Sequence, residues 1–198
     1  MRVVGLILAA GEGRRFGGPK QLAQLGGRPL IAHAVSAAVA VPGLERVLAV
    51  VGARADVVGA AARAAGAQVV CCPAWRAGNV ASLRAGLQAA AAVEADAVVV
   101  TLADQPFVTT ETIAHFAALA PGVRMAARAT YGGLPGHPVL LRRVLFGEVG
   151  RQQTPQGLRR LLDAVGIQRV AADGWCRPDD VDTVADLQRL AVLTPSRS

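Results

Sequence analysis

Mostly apolar runs at Val3–Ala9, Val47–Val51, Gln68–Cys72, Ala97–Leu102 and Val123–Ala127 alternate along the chain with stretches of helical character. The helices are expected at Leu30–Val41, Ala55–Ala65, Val80–Ala92, Thr110–Leu119, Thr154–Val165 and Val181–Leu193. The runs are continuously apolar rather than alternating, so each strand must be covered on both faces. A strand that returns parallel to its predecessor needs a crossover, which the intervening helices supply. The pattern predicts an α/β protein with a doubly wound, mostly parallel sheet. Tyr131 to Pro138 breaks the rhythm with three glycines and two prolines, and is expected to be a small hairpin or binding loop inserted beside the site. At 198 residues the chain suits one domain, residues 1–193, with Thr194–Ser198 as a frayed tail.

In such folds ligands bind beyond the carboxyl ends of the strands. The first strand runs into Ala10-Gly11-Glu12-Gly13-Arg14-Arg15-Phe16-Gly17-Gly18-Pro19-Lys20. Lys20 is the single lysine of a chain that carries 21 basic residues. An ammonium kept where every other cation has become arginine implies a role a planar guanidinium does not fill. A glycine-rich loop after a strand, closed by cations, is a phosphate cradle. It is not a Walker A loop, because Gln21 follows the lysine where a magnesium-holding Ser or Thr is needed. Nor is it a dinucleotide fingerprint, since Gly11, Gly13 and Gly17 are spaced one residue too widely and Gly18-Pro19 opposes immediate helix formation.

The formal charge of +7 invites a nucleic-acid reading, but the arginines are scattered and aromatics make up only 4% of the chain. Small anionic ligands fit better than a duplex, and no nucleic-acid partner is expected. No apolar run reaches the ~18 residues of a membrane span, and the chain enters its first strand at Val3 without a leader, so a cytoplasmic protein with no membrane partner is expected. Cys71, Cys72 and Cys176 lack metal-ligand spacing, and the first two are expected to be buried thiols.

Three further segments fall at the ligand-binding edge. Asp104 follows the run Ala97–Ala103, where a lone carboxylate can hold a divalent cation. The next helix is better capped by Thr109 or Thr110, which leaves Asp104 free. Asp180 and Asp182 lie in Asp-Val-Asp-Thr ahead of the last helix, and either is a second metal ligand or an N-cap. After the third strand, Gly78, Asn79 and Ser82 open a helix where backbone N–H groups and short polar side chains can meet a base or sugar. Trp75 is a rigid aromatic at the same edge. His137 sits in the Gly-Pro-rich loop and is a candidate for substrate contact, whereas His33 and His115 fall within helices and read as structural or solvated.

Taken together, Leu8-Ala9-Ala10-Gly11-x-Gly13-x-Arg15-Phe16-Gly17-x-Pro19-Lys20-Gln21-Leu22, Leu102-Ala103-Asp104-Gln105-Pro106, Gly136-His137-Pro138-Val139 and Asp180-Val181-Asp182-Thr183 resemble the molybdenum cofactor cytidylyltransferases. That family is related to the guanylyltransferases of the same pathway and, more distantly, to sugar-phosphate and methylerythritol cytidylyltransferases. The resemblance covers almost the whole chain. It implies a Rossmann-like nucleotidyltransferase fold in which Leu8, Ala9, Ala10, Gly11, Gly13, Arg15 and Lys20 hold a nucleotide triphosphate, with Arg15, Lys20 and Asp104 as the catalytic groups. It also implies that Asp104 and Asp182 bind Mg2+, with Asp182 preferred to Asp180 at the second position. Ala10 stands where guanine-selective relatives carry glycine, which points to CTP. The implied reaction moves CMP to a phosphorylated small-molecule acceptor, molybdopterin first, with a molybdenum enzyme or its chaperone as protein partner. Gly147-Glu148-Val149-Gly150-Arg151 departs from the family's Gly-Asp-x-Gly-Ala-Arg stretch and leaves other acceptors open: a sugar or polyol phosphate, GTP as the donor, or a non-catalytic role in cofactor delivery.

Overall fold

The computed structural model describes residues 1–193. The frayed tail expected at Thr194–Ser198 lies outside the described residues. The order along the chain is β1 (Val3–Ala9), the two-residue strands β2 (Gln24–Leu25) and β3 (Arg28–Pro29), α1 (Leu30–Val39), β4 (Leu44–Val51), α2 (Ala55–Ala64), β5 (Gln68–Cys71), α3 (Asn79–Ala92), β6 (Ala97–Leu102), α4 (Thr110–Leu119), β7 (Ala126–Tyr131), β8 (Leu134–Arg142), α5 (Phe146–Arg151), α6 (Pro155–Ala164), β9 (Gln168–Ala171) and α7 (Val184–Ala191). The main sheet runs β5-β4-β1-β6-β8-β7-β9, and only β8 is antiparallel to its neighbours. The mostly parallel, doubly wound α/β architecture expected from the apolar runs is the one observed.

Side chains of β1 show why its sequence is apolar throughout. Val3, Ile7 and Ala9 enter one core with Ile31 and Val35 of α1, Val58 of α2 and Phe116 of α4. Val4 and Leu6 point the other way, into a second core with Leu83 and Leu87 of α3, Phe146 of α5 and Leu162 of α6. Period-two alternation thus serves two helical layers. Close approach of one layer depends on Gly86, where an added Cβ would stand 2.6 Å from Leu6 Cδ1. A third, smaller cluster joins Leu25 and Leu30 at the β2–β3 ribbon to Val181 and Leu190, and so carries the C-terminal segment back to the strand tips.

Several boundaries differ from the expectation, each for a physical reason. Strand β7 starts at Ala126, not Val123, which is a buried turn residue. The Tyr131–Pro138 segment is the turn and first part of a true hairpin, and β8 continues to Arg142. Pro138 is tolerated because β8 pairs β6 only from Val139 onward and its ladder to β7 breaks between Arg128 and Thr130, so no N–H is demanded there. The short edge strand β9, with Gln168 and Arg169, carries too little apolar signal to be read. Helix α7 starts at Val184 rather than Val181, because Thr183 caps it in a capping box with Asp186. Cys72 is buried as expected, but Cys71 is exposed, since β5 lies at the sheet edge. Among the described residues no helix is long and apolar enough to cross a membrane.

Candidate functional site

The glycine-rich loop folds back on itself directly after β1. The backbone N–H groups of Phe16, Gly17 and Gly18 all donate to the Gly13 carbonyl, at 3.0, 3.0 and 3.3 Å. Gly13 has φ +72°, and a Cβ there would lie 1.9 Å from the Gly18 oxygen, so only glycine closes this loop. The base of the loop is stapled by Gln21, whose buried side-chain amide donates to the carbonyls of Ala9 (3.0 Å) and Gly11 (2.8 Å). Sequence reasoning used Gln21 only to exclude a Walker A loop. Its signal was a polar residue in the first apolar-flanked turn after the loop.

A cavity of about 430 Å³ opens over this loop. It is lined by Leu8, Ala9, Ala10, Gly11, Gly13, Lys20, Gly78, Asn79, Ser82 and Asp104, all selected from the sequence, and by Trp75, Arg76 and Gln21. Gly78 is the N-cap of α3, and Asn79 begins the helix, so the helix N-terminus faces the cavity. The Arg76 guanidinium stacks 4.4 Å over the Trp75 ring, a cation that sequence reasoning passed over.

At the mouth of the cavity, three chain segments meet on one ammonium. Lys20 Nζ lies 2.5 Å from Asp104 Oδ2 and 2.8 Å from Asp182 Oδ1. The two carboxylates are therefore closer than the sum of those distances, well inside the ~8 Å that water-bridged ligands of one magnesium span. Arg15 reaches the other oxygen of Asp182 at 2.9 Å. Side-chain exposure is 13% for Lys20, 20% for Asp104 and 33% for Asp182, against 75% for Arg15, so the lysine carries the pairing and the arginine is a solvated partner. Burial pulls the Lys20 ammonium down, but the two aspartates outweigh it and hold its pKa above the ordinary lysine value. Asp104 is free for this role because Thr109 caps α4, accepting from the Thr112 N–H.

Asp182 is delivered by the segment after β9. Val181, fully buried, donates its N–H to the Asp104 carbonyl at 2.9 Å and pins both flanking aspartates at the strand tip. Asp180 is held elsewhere: the Gln105 amide donates to it at 2.9 Å. Burial, and then Asp104, raise its pKa above the usual carboxylate value. Thus Asp182, not Asp180, shares the cation with Asp104. Two converging carboxylates form an oxygen donor set of the kind magnesium or manganese completes with phosphate oxygens and water. Among the described residues no group of three or more His, Cys, Asp or Glu forms a closed metal cage.

His137 stands away from this cation, on the wall of a second cavity of about 390 Å³. The two cavities share Leu8, Asn79 and Leu102, the tips of β1 and β6 and the start of α3. The half-buried His137 is pushed down to about 4 by burial and then by Arg128, so its imidazole is neutral at pH 7. Tyr131 fixes the hairpin, its hydroxyl donating to the His137 carbonyl at 2.8 Å. His33 contacts the Leu25 carbonyl through a ring nitrogen at 2.8 Å, and the His115 ring packs edge-on against Trp175 at 4.4 Å, so both are structural.

The profile of the MobA-like NTP transferase domain matches residues 5–170. Its match ends before Asp182, whose place in the site rests on the geometry above. The bifunctional enzyme IspD/IspF of Rhodospirillum rubrum is 33% identical over 193 residues, 90% of this chain and 48% of that protein. The molybdenum cofactor guanylyltransferase of Rhodobacter capsulatus is 37% identical over 123 residues, 61% of this chain and 60% of that protein. The chain thus spans about half the length of these curated relatives. Among solved structures, Rv0371c of Mycobacterium tuberculosis in complex with manganese superposes with a TM-score of 0.77 at 29% identity, covering 98% of this chain and 100% of that one. Since the profile takes in most of the chain, from β1 through β9, this protein belongs to the MobA-like NTP transferase family.

Proposed function

We propose that the chain is a metal-dependent nucleotidyltransferase that moves CMP from CTP to a phosphorylated acceptor, with molybdopterin as the favoured acceptor. The observation that carries this reading is the convergence of Lys20, Asp104 and Asp182 at the mouth of the glycine-loop cavity. A phosphate oxygen of the acceptor attacks the α-phosphorus of the nucleotide; the bond from that phosphorus to the bridging oxygen breaks, and pyrophosphate leaves with the electron pair. No covalent enzyme intermediate is needed, and the work is positioning and charge neutralisation. The loop from Ala10 to Lys20 cradles the triphosphate, with Lys20 and Arg15 meeting charge that grows toward the leaving pyrophosphate. Gly78, Asn79 and Ser82 face the base and sugar. Asp104 and Asp182 would hold Mg2+ or Mn2+, which supplies further neutralisation of the phosphates when bound.

The second cavity supports the choice of acceptor. Its walls carry Val80, Leu83, Val100, Val139, Leu141 and Leu162, an apolar lining that suits a flat heterocycle better than the hydroxyls of a polyol phosphate. Neutral His137 adds one hydrogen-bonding group there. Delivery of the product to a molybdenum enzyme or its chaperone follows from that acceptor. A second reading, GTP as donor, draws on the guanylyltransferase relative. Ala10 separates the two: it lines the nucleotide cavity, and its methyl narrows the space near the base. One methyl discriminates by only about 10–200-fold. Pyrophosphate release measured with CTP and GTP, in wild type and Ala10→Gly, tests this. CTP should be preferred, and the preference should shrink in the variant. Faster turnover with GTP, or an unchanged ratio, refutes the assignment.

A further inference from the structure

Three arginines of the second helical layer have no counterion. Arg128 of β7 and Arg169 of β9 are register partners on adjacent parallel strands, so their side chains leave the sheet on the same face. Helix α6 covers that face and adds Arg159. Together they line a cavity of about 240 Å³ in which Asp163 is the one carboxylate. Among the described residues none of the three arginines makes an ion pair, and the Arg128 Nε–H is buried without a hydrogen-bond partner. Burial and then Arg159 hold the Arg128 guanidinium below its ordinary value, a sign of repulsion left uncompensated. An unpaired buried donor among like charges is costly unless a ligand satisfies it. The arginine cavity shares Arg128, Pro135 and Arg159 with the acceptor cavity, which in turn shares Leu8, Asn79 and Leu102 with the nucleotide cavity. The three form one continuous run.

We propose that Arg128, Arg159 and Arg169 form an anion subsite for the far end of the acceptor, so that the acceptor carries a second anionic group remote from its reacting phosphate. This rests on the nucleotidyltransferase reading only for the identity of the acceptor cavity. A planar guanidinium pair matches a phosphate or carboxylate in fork geometry, which the lysine-poor composition favours here. The reacting phosphate would lie at the Leu8–Leu102 wall and the second anion at the arginines, with the apolar middle cavity holding the body between them.

Inorganic phosphate is the probe. Titrated into the full-length protein, it should produce saturable shifts in the arginine Nε–H resonances of Arg128 and Arg169. Arg159→Gln and Arg169→Gln, both at exposed side chains and so compatible with folding, should each weaken this binding roughly five- to tenfold. Phosphate should still bind there with CTP and magnesium present. Shifts absent from Arg128, shifts that survive in the Arg159→Gln/Arg169→Gln double variant, or displacement of phosphate by CTP would each overturn the subsite. Binding of CTP itself, followed through the Gly11 and Gly13 amides, reads the nucleotide loop separately. Its failure would sink the proposed function while leaving the arginine subsite standing.

Discussion

Replacing Lys20 by alanine removes the one cation that Asp104 and Asp182 share. Breaking a fully buried pair costs about 3–5 kcal/mol, whereas an exposed pair is worth about 0–1 kcal/mol. With carboxylate exposures of 20% and 33%, the site lies between these limits. A loss of about 2 kcal/mol is the reasonable middle for such partly solvated charges. For a chain of this size that lowers Tm by about 4–8 °C. The cost is electrostatic, so it should be specific in two ways. Magnesium or manganese at millimolar concentration should restore more Tm to Lys20→Ala than to wild type, because the freed carboxylates accept it without displacing the ammonium. Nucleotidyl transfer should nevertheless stay depressed by about 10²–10³-fold, the loss typical of removing one group aimed at developing charge. Thermal unfolding with and without metal, and pyrophosphate release, measure both. The pH sign agrees: a lysine whose pKa is raised in the fold contributes stability that is complete below its ordinary value and is lost as pH rises through the raised one, so the Tm difference should be constant from pH 6 to 9. Unchanged turnover in the variant, or no extra gain from metal, would refute the reasoning.

Gly13→Ala should abolish CTP binding while leaving the core folded, since its Cβ would collide with the Gly18 carbonyl; near-normal affinity by calorimetry would show that the loop closes some other way. The depressed His137 pKa, about 4, means that the unfolded chain takes up its proton first as pH falls, so stability drops between the ordinary histidine value and pH 4. His137→Gln should flatten that part of the stability–pH curve, and denaturation midpoints at pH 4.5 and 7 test it by comparison with wild type. Asp186 is pulled down to about 2 by the Thr183 hydrogen bonds of the capping box, so its contribution is present above the usual carboxylate range and fades toward pH 2. Asp186→Asn should loosen α7 at pH 7, seen as faster amide exchange over Val184–Ala191, with no difference from wild type at pH 2.

Much of the site was legible because it lies where continuous apolar strands end. β1 and β6 are central, buried on both faces and unbroken by charge, so their tips and the residues beyond them, Lys20 and Asp104, were readable. The hairpin was only half legible. Arg128 interrupts β7, and Pro135 and Pro138 interrupt β8, so the signal there was turn chemistry rather than periodicity. That same interruption, a charge inside an apolar strand, was the available sign of the arginine cavity. Asp180 and Asp182 were ambiguous because the sequence does not say which residue caps α7. The capping box of Thr183 and Asp186 takes that task, and the buried side chain of Val181 divides the two aspartates between Gln105 and Lys20. Gln21 escaped notice because its hydrogen bonds close a loop whose shape only the folded chain reveals.

The wall between the nucleotide and acceptor cavities is set by the backbone ladder that pairs Leu8 with Leu102. Neither cavity can shift this partition without breaking the centre of the sheet. The far side is different: it is made by the β7–β8 hairpin and α6, which meet the glycine loop only through that partition. The chain is therefore divided like a tool with a fixed handle and an exchangeable head. A new acceptor can be sought by recombining residues 126–164 between relatives while the triphosphate grip stays untouched. Conversely, a swap confined to residues 10–22 should change the nucleotide and leave the acceptor as it was.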